Sequence, residues 1–192
     1  MLHKDYWNER WMENNTGWDI GQASPPLMEY LQQIPNRDIE ILIPGSGSGY
    51  EAEQAYRMGF HRVHYNDIAP EAKIRFQKRV PDFPAEQIIM QDIFKLNGRY
   101  DLILEQTSFC AQPPERRNEY ISKIHDLLNP NGKYAGVLFD VEFPGDGPPF
   151  GGNREEYARL FGKKFKILKM EKCYNSINPR QGKELFVILT PI

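Results

Sequence analysis

The sequence predicts an α/β domain whose seven-stranded, mostly parallel sheet carries helices on both faces and has one antiparallel edge strand. Three observations predict it. Short apolar runs rich in β-branched residues alternate with helical stretches, the pattern of parallel strands joined by crossover helices. Two strand-like runs then follow one another, Phe165 to Tyr174 and Glu184 to Thr190, and would close the sheet with an antiparallel edge. The third observation is a glycine break, Gly45-Ser46-Gly47-Ser48-Gly49, between the first run and the helix behind it.

Tyr6 to Glu13 reads as a helix in which four-residue spacing sets Trp7 and Trp11 on one face, and Trp18 follows in the turn-like Thr16-Gly17-Trp18-Asp19. These three tryptophans ahead of the first strand form an aromatic cluster that either packs on the sheet edge or caps something. A second helix runs to Gln33, with Ser24 as its cap, Pro25 in its first turn and Pro35 beyond its end. Ile39, Ile41, Leu42 and Ile43 make the first strand, which stops at Pro44. Helix resumes from Tyr50 to Met58, where Gly59 can end it in the left-handed conformation. Val63 to Asn66 is the second strand, Pro70 to Arg79 a helix, Gln87 to Gln91 the third strand and Tyr100 to Glu105 the fourth. The apolar stripe Tyr120, Ile121, Ile124 and Leu128 marks a helix from Glu115 to Leu128. Asn129-Pro130-Asn131-Gly132 reads as a turn before the fifth strand, Lys133 to Phe139. Glu142 to Asn153, rich in Gly and Pro, is the loosest segment and leads into a short helix, Arg154 to Leu160.

Glycine has no Cβ, so the backbone at the end of the first strand can turn sharply and approach a bound molecule closely. The spacing Gly-x-Gly-x-Gly is one residue tighter than the dinucleotide fingerprint, which seats a pyrophosphate on the helix N-terminus. The loop therefore suits a ligand without phosphate there and disfavours a dehydrogenase. Asp67 ends the second strand 22 residues after Gly45, where an acidic side chain meets a ribose diol. Asp92 closes the third strand beside Ile93, an acid and an apolar residue placed as an adenine pocket wants them. The glycines alone also suit an ordinary turn; the two acids in register favour a nucleoside. Ligands of such sheets sit outside the strands' carboxyl ends, where Gly45, Asp67, Asp92, Glu105 and the loop after Phe139 all fall.

At 192 residues the chain suits one domain with appended elements. Its 24 basic and 26 acidic residues nearly balance, and no run of Lys or Arg marks a nucleic-acid footprint. Cys110 and Cys173 lie far apart and form no metal-type pair, which points to a reducing compartment and to no metal site. The polar opening Met1-Leu2-His3-Lys4-Asp5 lacks an apolar signal core, and nowhere do about 18 apolar residues run together. A cytoplasmic protein without membrane or nucleic-acid partners, and a monomer, is expected.

The chain also resembles the thiopurine S-methyltransferase-like family of S-adenosylmethionine (SAM)-dependent methyltransferases, which includes thiol and halide methyltransferases. The likeness covers nearly the whole length. It rests on Tyr6-Trp7-Asn8-Glu9-Arg10-Trp11, on Thr16-Gly17-Trp18-Asp19 running to Ser24-Pro25-Pro26-Leu27, and on Ile43-Pro44-Gly45-Ser46-Gly47-Ser48-Gly49-Tyr50. Also matching are Asp67-Ile68-Ala69-Pro70, Thr107-Ser108-Phe109-Cys110-Ala111 and Gly147-Pro148-Pro149-Phe150 followed by Glu155-Glu156-Tyr157. The glycine loop is generic to the superfamily, whereas the tryptophan-rich opening and the Pro-Pro-Phe loop are specific.

The resemblance implies a Rossmann-like class I SAM-dependent methyltransferase fold, with residues 1–35 as a cofactor-covering helical segment and 38–192 as the sheet core. Within the core, 142–160 would form a substrate-side loop and helix. It implies that Trp7, Trp11 and Trp18 cover SAM, that Gly45 passes its methionine part with Gly47 also binding the cofactor, and that Asp67 holds the ribose hydroxyls. Asp92 and Ile93 would bracket the adenine, and Glu105 would stand near the methionine ammonium. Leu104-Glu105-Gln106-Thr107-Ser108 departs from the thiopurine branch's Trp-Asp-Arg-Gly and lies nearer the thiol/halide branch's Asp-Tyr-Thr-Phe-Phe. The expected reaction is therefore methyl transfer from SAM to a small thiol or sulfide, leaving S-adenosylhomocysteine; halide is the alternative acceptor, and SAM binding without turnover the alternative role. Such a transfer needs the nucleophile aligned and stripped of water more than it needs a strong base. His3, His61, His64 and His125 supply no evident His–acid constellation. Trp18, Phe109 and Phe150 are expected to wall a largely apolar acceptor pocket, with Thr107 as a polar contact and Cys110 in packing.

Overall fold

The computed structural model describes residues 3–192. Met1 and Leu2, with which the expected cofactor-covering segment begins, lie outside the described residues. The chain opens with α1 (Lys4–Met12) and α2 (Pro25–Gln32) and then enters the sheet at β1 (Ile41–Pro44). Strands and helices alternate through α3 (Tyr50–Arg57), β2 (Val63–Asp67), α4 (Pro70–Arg79), β3 (Ile88–Met90), β4 (Tyr100–Gln106), α5 (Arg117–Leu127) and β5 (Leu128–Phe139). The chain then runs through α6 (Arg154–Phe161), β6 (Phe165–Lys172) and β7 (Glu184–Pro191).

The helices form where local chemistry directs them. α4 has Pro70 and Glu71 in its first turn and Lys78 and Arg79 in its last, so it complements its own dipole at both ends. In α6 the Asn153 side chain accepts from the Glu156 amide at 2.9 Å, which satisfies one of the first turn's free donors. Ser24 stands at the cap of α2 as expected, but its side chain makes no capping bond. Its backbone N–H instead donates to Glu51 Oε1 at 2.9 Å, tying α2 to α3.

The sheet order is β3-β2-β1-β4-β5-β7-β6. β3, β2, β1, β4 and β5 run parallel to one another, and β7 runs antiparallel to both β5 and β6. The seven strands and the antiparallel edge pair are thus as the sequence predicts, with the reversed strand one place in from the edge. Alternate residues of β1 and β4 face opposite layers. Leu42 and Ile103 join α5 and α6 in one core, whereas Ile41, Ile43, Leu102 and Leu104 join α2, α3 and α4 in the other.

One boundary differs from the sequence reading. Leu128 ends no helical stripe: it pairs with Tyr100 as the first residue of β5, and the register shifts before Leu102 meets Lys133. The Asn129-Pro130-Asn131-Gly132 turn is therefore a bulge inside one strand, because pairing with β4 resumes on its far side.

The N-terminal segment docks on the carboxyl ends of the parallel strands. Trp11 is buried against Ala69 and Ala72 of the β2–α4 corner, with Trp7 and Trp18 packed beside it. Asn8 Oδ1 caps the Glu71 amide at 2.9 Å, and Arg75 Nη2 reaches the Trp11 carbonyl at 2.6 Å.

Candidate functional site

Between this aromatic segment and the strand ends lies a cavity of about 420 Å³. Its floor is made by the loops that follow β1, β2, β3 and β4, as expected for a sheet of this class.

The glycine loop lets those parts approach one another. Gly45 has φ +59°, and a Cβ there would stand 3.1 Å from the Ser108 Cβ, so only glycine seats the β1 loop against the β4 loop without displacing Ser108. Gly47, also left-handed, would drive a Cβ to 3.1 Å from the Trp11 indole. It therefore lies beneath the tryptophan and does not border the cavity.

Asp67, at the end of β2, borders the cavity and is itself a hub. Oδ2 accepts from the Gly47 amide at 2.8 Å, and Oδ1 from the Ile68 and Ala69 amides at 2.7 and 2.8 Å. Burial raises its pKa, and these three amides pull the other way. An ionised carboxylate has about four acceptor positions, so roughly one remains for a ligand hydroxyl. Asn66 beside it donates to the Ile89 and Gln91 carbonyls at 3.1 and 2.8 Å, which locks the β3 loop in place. Asp92 in that loop spends Oδ1 on the Phe94 amide at 3.0 Å, while Ile93 and Phe94 border the cavity next to it. The Arg116 guanidinium lies over the Phe94 ring, 3.7 Å from its centre.

Of the residues that the sequence singles out, the structure brings Trp7, Trp11, Trp18, Gly45, Asp67, Asp92, Ile93 and Thr107 to the cavity. Four it does not. Gly47 is covered as described. Glu105 is fully buried and turns away from the cavity into the core. Its Oε1 accepts from the Ser108 and Phe109 amides at 2.7 and 2.8 Å, and Oε2 accepts the Tyr134 hydroxyl at 2.7 Å. Its carboxyl is pushed up to about 7 by burial, against the pull of those donors. Phe109 is also a core residue, packed on Tyr120, Tyr157 and Phe161. Phe150 is half-buried outside the cavity and donates its amide to the Cys110 carbonyl at 2.7 Å.

Phe139, Phe143, Pro148 and Pro149 supply the apolar wall in place of the two phenylalanines. Thr107 has φ +63°, a left-handed conformation rare outside glycine, and its hydroxyl donates to the Gln106 carbonyl at 2.7 Å. Cys110 lies in the wall with its thiol directed to the Thr107 carbonyl at 3.3 Å, and burial drives its pKa far above the ordinary thiol value.

Sequence reasoning did not find the cations. Arg10, Arg116, Arg180 and Lys183 all border the cavity. Arg180 is nearly buried, donates to the Trp18 carbonyl at 2.8 Å, and stacks over Phe139 at 5.2 Å. Among the described lining residues, Asp67 and Asp92 are the carboxylates and none is a histidine. The site thus joins an indole-lined half at β1 to β3, which carries Asp67 and Asp92 together with Arg10 and Arg116, to an apolar half at β5 to β7. That apolar half carries Lys183 and Arg180, the latter also meeting buried Glu184 at 3.5 Å.

The family model described as thiopurine S-methyltransferase matches residues 2–188. A probable thiol methyltransferase 2 from Arabidopsis thaliana is 27% identical over 186 residues, spanning 93% of this chain and 81% of that protein. Thiocyanate methyltransferase 1 from the same plant is 25% identical, with 96% and 85% spanned. The thiopurine S-methyltransferase of Acinetobacter baylyi is 23% identical, with 94% of each chain spanned. Among solved structures, the Burkholderia thailandensis 1,6-didemethyltoxoflavin-N1-methyltransferase, with S-adenosylhomocysteine bound, superposes with a TM-score of 0.78 at 20% identity over 98% of this chain and 86% of that one. A TehB-like SAM-dependent methyltransferase from Corynebacterium glutamicum gives 0.68 at 16% identity over 100% and 99%. These structural likenesses establish the fold.

Proposed function

The chain belongs to the thiopurine S-methyltransferase family of SAM-dependent methyltransferases, and from that premise we propose that it transfers the SAM methyl group to a small thiol or sulfide by direct in-line displacement. The observation that carries the acceptor class is the wall of the cavity. Whereas Asp67 and Asp92 stand together with Arg10 and Arg116 at one half, Arg180 and Lys183 stand at the acceptor half with no described lining carboxylate beside them. Anions are favoured there, and no carboxylate or imidazole among the described lining residues is placed to take a proton from an alcohol or amine.

The residues present fit SAM. When bound, SAM supplies an electrophilic methyl carried on a positively charged sulfur. Trp7, Trp11 and Trp18 offer indole faces suited to a sulfonium and cover the cofactor with the N-terminal segment. Asp67 keeps acceptor capacity for the ribose hydroxyls, and Asp92, Ile93 and Phe94 form the adenine end. Gly45, at the cavity border, brings backbone without a side chain alongside the methionine moiety. Glu105 has no part in this contact; its role is to brace the β4 loop from behind.

On the acceptor side, Phe139, Phe143, Pro148 and Pro149 strip water from the nucleophile, and Arg180 and Lys183 hold its negative charge. A thiolate needs nothing further from the protein except alignment. Halide or thiocyanate would satisfy the same wall and is the second reading, favoured by the same cations. Incubation with SAM and either a thiol panel or iodide, with S-adenosylhomocysteine as readout, tests both. Turnover of hydroxyl or amine acceptors in preference to thiols and iodide would overturn the proposal.

A further inference from the structure

Arg117 opens α5 as a charged side chain only 2% exposed, and it does not border the cavity. Its Nη1 meets Glu156 Oε1 of α6 at 2.7 Å, and its Nη2 reaches the Phe150 and Gly151 carbonyls at 3.3 and 2.6 Å. The guanidinium lies over the Phe109 and Tyr157 rings at 5.3 and 5.9 Å, and its Nε is buried without a partner. Burying a cation carries a large desolvation penalty that its bonds must offset, and one donor here has no partner. An apolar side chain would fill this space at lower cost. What the guanidinium supplies is geometry, since one planar fork ties a helix, a loop and an aromatic stack together.

The loop it holds is the segment directly after Pro148 and Pro149, the two prolines in the cavity wall. Its second backbone anchor is the Phe150 amide on the Cys110 carbonyl at 2.7 Å, which fastens the loop to the β4 side of the same wall. Gly152 is tied back to the Val141 carbonyl at 3.1 Å. We infer that Arg117 is a positioning residue for the methyl acceptor: it touches neither ligand, but sets the place of the Pro148–Pro149 wall and so the acceptor's fit. This rests on the reading that this half of the cavity takes the acceptor.

The test uses Arg117→Lys and Glu156→Gln in the full chain. Lysine keeps a charge for Glu156 but has one nitrogen in place of the planar fork that reaches Glu156 and the two carbonyls from separate atoms, whereas Glu156→Gln leaves the carbonyl bonds and weakens the fork's hold. Arg117→Lys is expected to raise the KM for a small thiol and for iodide by about tenfold or more, with the S-adenosylhomocysteine Kd within about twofold of the parent. Glu156→Gln is expected to raise acceptor KM about threefold, again without moving that Kd. If Arg117→Lys does not fold, Glu156→Gln alone decides. Acceptor KM within about twofold of the parent overturns the assignment, as does a parallel loss of acceptor and S-adenosylhomocysteine affinity, the mark of a general structural effect. A parent enzyme that turns over neither thiol nor iodide overturns the proposed function and this assignment together.

Discussion

The Arg180 guanidinium donates to the Trp18 carbonyl at 2.8 Å, joining the N-terminal aromatic segment to the connector between β6 and β7, 162 residues away. Asp19, next to Trp18, is bonded to Ser48 of the glycine loop. The segment is therefore clasped from two sides of the cavity, and a ligand beneath it would add a third contact surface. Residues 3–22 should show stronger hydrogen-exchange protection once S-adenosylhomocysteine binds, and Arg180→Gln should lower protection around Trp18 with and without ligand. Protection that ligand leaves unchanged would reduce the segment to edge packing.

Asp67→Asn tests the ribose role with part of the hub kept: the amide oxygen can still accept from the Ile68 and Ala69 N–H groups, while its NH2 faces the Gly47 N–H without an acceptor, so the folded state is checked alongside. S-adenosylhomocysteine affinity should fall by about 1–3 kcal/mol, the scale of hydrogen bonds to a charged group. Calorimetry on folded variant that returned the parent Kd would take Asp67 out of the cofactor contact.

Glu105 makes a prediction about pH. Burial lifts its folded pKa to about 7 from an ordinary 4.5, so between those values the folded chain holds a proton that the unfolded chain has released. Its contribution to stability therefore falls as pH rises through that window and stays low above it. Glu105→Gln, which cannot ionise, should gain stability relative to the parent as pH increases from about 4.5 to 7. Denaturant titrations at several pH values give the difference. A constant gap between parent and variant would show that Glu105 has the same affinity for protons in both states.

The parts of the site legible in the sequence are those whose neighbours lie close along the chain. Gly45 follows β1, Asp67 ends β2 and Asp92 follows β3, so the strand pattern alone sends all three to one edge of the sheet. Glu105 sits at a strand end by the same logic, yet the direction of its side chain is decided by Ser108, Phe109 and Tyr134, and the pairing with Tyr134 spans 29 residues. Phe109 faces the core because α5 and α6 present Tyr120, Tyr157 and Phe161 to it. Arg180 and Lys183 come from the connector of the closing strand pair, where no periodicity or motif marks a cavity. At Leu128 a helical stripe and a strand start coincide, and long-range pairing with Tyr100 settles the boundary.

The acceptor wall makes the sharpest prediction. A thiol reacts as its thiolate, so its rate should climb with pH until the thiol is ionised, whereas iodide is an anion throughout. Any group of the protein that titrates behind the wall, Glu105 included, acts on both acceptors and cancels in their ratio. The ratio of thiol to iodide rates should therefore rise about tenfold per pH unit below the thiol's pKa and level off above it. Thiols of different acidity should shift that plateau with their own pKa values, because neither Asp67 nor Asp92 stands at the acceptor half to take the proton. A plateau pinned at one pH for every thiol would reveal a base supplied by the protein, and the base-free displacement would then be wrong.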